Sequence, residues 1–211
     1  MATLDYQRGE DHRDDRRRER LRALGVVDYA AAWEAFARET GAEYLPTKWP
    51  MAPGRVVSRV GPWTLTLDTI GSRDNAHGMR LRADFSLLVP FRLLVRPFGF
   101  FDQLGEYLRL LRARTGEALF DANFVTRSNQ SDVARFLLDW GEVRTIYRSF
   151  ADATLEVAQG PGGFRRRTGE AWVELRRPGL QTEPDVLRRM HALVVQTLEG
   201  LAELGIATAG D

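Results

Sequence analysis

From Met79 to Leu87, apolar and polar residues alternate without a break: Met79, Leu81, Ala83, Phe85 and Leu87 against Arg80, Arg82, Asp84 and Ser86. A period of two puts the first set on one face of a strand and the second set on the other. The sheet that contains this strand has one dry face and one wet face. That is a habit of antiparallel sheets, whereas the strands of a buried parallel sheet read as continuous apolar runs.

The same period recurs along the chain. Arg55–Val60 and Trp63–Ile70 flank Gly61-Pro62, which is a hairpin signal. Gly71–Gly78 reads as a loop, and Phe91–Val95 after Pro90 as a fourth strand. Further strands are predicted around Phe120–Thr126, at Thr154–Ala158 and between Phe164 and Arg177, the last two joined by Gly160-Pro161-Gly162-Gly163.

Helical spacing is clearest in three places, and the apolar residues from Phe98 to Leu111 could make a further short amphipathic helix. Asp28 caps a stripe of Tyr29, Trp33 and Phe36 that Gly41 stops. Ser131 is predicted to cap a second helix, with Val133, Phe136, Leu137 and Trp140 turned inward and Val143, Ile146, Tyr147 and Phe150 following. Thr182 and Asp185 resemble a capping box ahead of Leu187, Met190, Val194, Leu198 and Leu201, a long stripe that Gly205 ends. Strands in sequential runs with helices before, between and after argue against alternating βαβ units. The expected fold is α+β: an antiparallel sheet of about five to seven strands, helices packed on one face, and a long C-terminal amphipathic helix. Its predicted parts are a charged lead-in over 1–22, one domain over 23–205 and a short tail over 206–211.

Charge narrows the function. The 211 residues carry 30 Lys and Arg against 29 Asp and Glu, a formal net charge of +1. Lys48 is the sole lysine, and codon usage in a GC-rich genome accounts for that skew as simply as any function does. The balance is also local. Residues 8–22 hold seven positive and five negative charges, and the arginines near Arg80, Arg165-Arg166-Arg167 and Arg176-Arg177 stand beside carboxylates. A face built for nucleic acid is therefore not expected. The absence of cysteine excludes disulfides, thiolate metal sites and a cysteine nucleophile. No apolar run reaches the roughly 18 residues that span a bilayer, and no signal peptide opens the sequence, so a cytoplasmic protein is expected.

Motifs for chemistry are sparse. His12, His77 and His191 are far apart, and no cluster supplies the three protein ligands usual in a catalytic zinc site. Neither G-x-S-x-G nor a phosphate-binding P-loop is present, and no cofactor is expected. Asp102 and Asp121 each follow phenylalanine; a carboxylate in an apolar setting has a raised pKa and can act as a general acid. On the wet face, Arg80 and Arg82 with Trp172 are candidate contact residues.

The segment Leu119-Phe120-Asp121-Ala122-Asn123-Phe124-Val125-Thr126-Arg127-Ser128 is similar to an F-D-x-x-F-x-V-x-S core in a family of uncharacterised bacterial proteins, with Thr126 at the valine position. In that family a helix with paired leucines follows, here Phe136-Leu137-Leu138, and then two strands and a final amphipathic helix. The resemblance implies a shared fold over about 55–204 and brings no assigned reaction. The element order also resembles secretion-chaperone-like domains, which bind other proteins.

Three functions are compatible with these residues. The first is a binding or accessory domain acting through protein–protein contact or self-association, with Arg80, Arg82, Phe120, Asp121, Phe124, Arg127 and Trp172 as candidate contacts. The second is a pocket for an apolar small molecule or lipid, lined by aromatic residues that include Trp63, Phe85, Phe91, Phe98, Phe100, Phe101, Phe120 and Phe124. The third is a hydrolase using Asp102 or Asp121.

Overall fold

The computed structural model describes residues 28–47, 53–72, 75–99, 112–159 and 170–208. The lead-in over 1–22, Phe100, Phe101, Asp102, the Gly160–Gly163 connection and Arg165-Arg166-Arg167 lie outside the described residues. Asp28 accepts a hydrogen bond from the Ala31 amide (2.9 Å) and starts α1, Tyr29–Thr40. Gly41, at φ 67°, ends it in the left-handed conformation that glycine adopts without a Cβ penalty. A short β1, Glu43–Leu45, leads to the predicted hairpin, β2 Arg55–Val60 and β3 Trp63–Ser72.

β3 ends at Ser72 and β4 runs from Asn75 to Leu87, so the described parts of the expected loop at Gly71–Gly78 are instead the far ends of two long strands. The pair shifts register between Ile70 and Gly71, a bulge that carries the ladder through polar residues with no apolar alternation to mark it. The fourth strand is displaced to β5, Leu93–Pro97. Residues Ala118–Asn123 form a short helix, α2, and only Phe124–Ser128 is strand β6, which corrects the single strand predicted around Phe120–Thr126.

α3, Ser131–Asp139, buries Ala134, Leu137 and Leu138, while Phe136 is 42% exposed. Ser131 is its first residue and makes no cap; the cap position is Gln130. After α4, Val143–Arg148, come β7, Thr154–Gln159, and β8, Glu170–Pro178. α5, Pro184–Glu203, opens on a proline in place of the expected capping box, with Glu183 at the cap position and no side-chain cap. Its predicted stripe is buried, and each such leucine contributes about 2 kcal/mol. Residues Ala207–Thr208 form β9, so part of the expected tail belongs to the sheet.

The nine strands of the described residues all pair antiparallel; eight follow the order β1-β2-β3-β4-β8-β7-β5-β6, and β9 pairs with β4 off that path. Nine strands exceed the expected five to seven. β9 pairs with Ser86 and Leu87, on the side of β4 away from β8 and in line with β3. The register stacks inner-face residues into rows across seven strands. One row is Val56, Leu67, Leu81, Leu175, Leu155, Val95 and Thr126; the next is Ser58, Leu65, Ala83, Val173, Val157, Leu93 and Ser128. Every one of these residues is buried. The helices supply the second layer on this face. α5 lies against β4 and β8 and touches α1, α3 and α4.

Candidate functional site

Between the two inner rows runs a row on the opposite face: Val57, Thr66, Arg82, Glu174, Glu156, Leu94 and Arg127. Beside it, Asp68, Arg80, Arg176 and Thr154 stand in register, and on its other side Asp84 is opposite Trp172. The antiparallel ladder thus brings Arg80, Arg82, Arg127 and Trp172 onto one face from strands far apart in sequence.

Glu174 is the centre of this face. Its side chain is 7% exposed and meets three guanidinium groups: Arg176 at 3.0 Å, Arg80 at 3.6 Å and Arg82 at 3.7 Å. Each arginine has a second carboxylate. Asp68 takes Arg80 bidentately at 2.7 and 3.0 Å, Asp84 accepts from Arg82 Nε at 3.0 Å, and Glu156 pairs with Arg176. The Asp68 hydrogen bond raises the Arg80 pKa above its already high value. A buried carboxylate is costly unless its charge is answered, and here three partly exposed cations answer it. Arg82 also lies over the Trp172 ring, 4.8 Å from its centroid. Arg80, Arg82 and Arg176 face Asp68, Asp84, Glu156 and Glu174. This cluster around Glu174 is a pre-set polar and aromatic surface in which three arginines meet four carboxylates.

The other candidates fall elsewhere. Phe120 and Phe124 are buried on the inner side, their rings 4.9 Å apart and 6.0 and 5.1 Å from Tyr147. They are core residues and do not belong to the outer surface. Trp63 and Phe85 likewise meet edge to face at 6.4 Å, and Phe91 is fully buried. Asp121, within α2, uses both oxygens on the turn that precedes the helix: Oδ1 accepts from the Thr115 amide and hydroxyl at 3.0 and 2.9 Å, and Oδ2 from the Gly116 amide at 3.3 Å. That carboxylate shapes the entry to α2. Among the described residues no group of three His, Cys, Asp or Glu is placed to hold a metal ion, and no helix is long and apolar enough to cross a membrane.

One pairing was not legible in the sequence. His191 Nε2 on α5 lies 2.9 Å from the buried Ser58 hydroxyl on β2, with its ring edge-on to Phe36 at 6.2 Å. Burial pushes the imidazole pKa below its ordinary 6.5. Above about pH 6.5 the ring is neutral whether folded or unfolded; below it the unfolded chain takes the proton first, so stability falls until the lowered folded-state value is reached. Between pH 6.5 and 5, therefore, melting temperature should fall more steeply for the wild type than for His191→Gln. Parallel slopes would remove His191 from the acid response.

No protein-family model matches the chain, and none of the curated proteins does. Among solved structures, the crystal structure of the mycobacterial trehalose monomycolate transport factor A, TtfA, is similar over 82% of this chain and 94% of that one, with 11% identity and a TM-score of 0.48. A likeness that distant does not bear on what this chain does.

Proposed function

We propose that this is a soluble, cytoplasmic binding or accessory domain whose outer sheet face docks a partner protein or a second copy of the chain. The observation that carries this reading is Arg82 laid over Trp172 and fixed there by Asp84 and Glu174. Tryptophan and arginine dominate the energetics of protein interfaces, and a side chain already held in place loses little entropy on docking. The balanced charges around Glu174 favour a partner of mixed charge over a polyanion.

The test places a photo-crosslinking amino acid at Thr66 or Ala158 on the outer face and, as a control, at Glu199 on the exposed side of α5, in cells that make the protein. A discrete adduct from the outer-face positions alone is expected. The double variant Arg82→Ala/Trp172→Ala should lower its yield at least about tenfold. Equal adducts from both faces, or a yield that ignores the double variant, would overturn the reading.

A further inference from the structure

At one end of the outer face the sheet is hollowed by a cleft of about 440 Å³. Its walls come from β3, β4, β5, β7 and β8, together with the turn before β7. The floor is apolar: Ile70, Leu94 and Pro178 line it. Gly78, directly opposite both Ile70 and Pro178, adds no side chain to fill it. The volume falls within the roughly 300–1,000 Å³ typical of small-molecule sites.

The polar lining is mostly arginine. Arg96, Arg176 and Arg177 line the cleft with a single carboxylate, Asp152. Asp152 is committed to Arg177, bidentately at 2.8 and 3.0 Å. Arg176 is held by Nη2 on Glu156 and by Nε on Glu174. Neither of those glutamates lines the cleft, and neither uses Nη1. The guanidinium is therefore oriented from behind and is 43% exposed. Arg96 and Thr154 also line the cleft. Planar guanidinium groups beside an apolar floor match an acid head on a short apolar body.

We propose that this cleft binds a small organic carboxylate, its head on Arg176, Arg96 and Thr154 and its body on Ile70, Leu94 and Pro178. The site does not depend on the outer face docking a protein. It is read at amides around the cleft, away from Trp172, so the two proposals fail separately.

The test titrates the full chain with hexanoate, followed by ¹H–¹⁵N correlation spectra, with 1-hexanol, hexylamine and inorganic phosphate as parallel probes. Saturable shifts at Ile70, Leu94, Thr154 and Arg176 are expected for hexanoate alone. Arg96→Gln/Arg176→Gln should weaken binding about tenfold or more. Leu94→Ala, which leaves every charge in place, should weaken it about three- to tenfold. The absence of a saturable shift, or hexanol binding as well as hexanoate, would overturn the proposal. So would phosphate matching hexanoate, or binding unchanged in both folded variants.

Discussion

Phe120→Ala is expected to lose about 4 kcal/mol of folding stability. Phe120 is fully buried where α2 meets β6 and α4, against Phe124 and Tyr147. Tyr147 is equally buried, and its hydroxyl donates toward the carbonyls of Val95 (2.9 Å) and Ala153 (2.7 Å), which ties α4 to β5 and to the start of β7. Removing the Phe120 ring leaves a void that this cross-braced corner cannot close by local relaxation, so the cavity cost adds to the lost burial. Urea unfolding of the wild type and of Phe120→Ala reads the difference directly. Phe120→Leu should cost about 1–2 kcal/mol, because it keeps most of the volume. A loss below about 1 kcal/mol for the alanine variant, with the outer-face crosslink abolished, would return Phe120 to the working surface.

Gly78→Val should be nearly as damaging, by about 3 kcal/mol. Gly78 sits mid-strand in β4, and a Cβ there would lie 2.3 Å from the Arg177 carbonyl oxygen. The obstructing atom is backbone of the neighbouring strand and cannot swing aside as a side chain would. Relief requires β4 and β8 to part at the register position where Gly78 opposes Pro178. For a chain of this size such a loss lowers the melting temperature by about 6–12 °C. Gly78→Ala meets the same oxygen and should lose more than about 1 kcal/mol. An alanine variant as stable as the wild type would show that the two strands do not approach so closely.

The sequence displays what period alone can carry. The alternation at Met79–Leu87 predicts β4 and its two faces, and the spacing from Leu187 to Leu201 predicts the buried stripe of α5. Legibility fails where two periods fit the same residues. Phe120 and Phe124 are four apart, which suits a helix face and a strand face alike, and the boundary between α2 and β6 falls between them. It fails again at Ser72 and Asn75, where strand pairing passes through residues whose composition signals a turn. The site is harder still. Arg82 and Trp172 are visible as residue types, but their meeting is a matter of register between β4 and β8, and register is fixed by the whole sheet. The pairing of Ser58 with His191 and the cleft floor of Ile70 and Pro178 follow in the same way from topology, which no local pattern contains.

The place of β4 has a consequence for how the chain is made. β4 pairs with β3 immediately before it, but its other long edge waits for β8, and its last residues wait for β9. At ordinary rates of synthesis, β8 leaves the ribosome on the order of 10 s after β4. Throughout that interval a long strand edge is open to pairing with a neighbouring nascent chain. Arg80, Arg82 and Asp84 lie along it, and charged side chains on an open edge discourage such pairing. The residues that furnish the outer surface of the finished domain are then also the gatekeepers of its assembly, and replacing them with apolar residues would endanger the yield of folded protein before any question of binding arises.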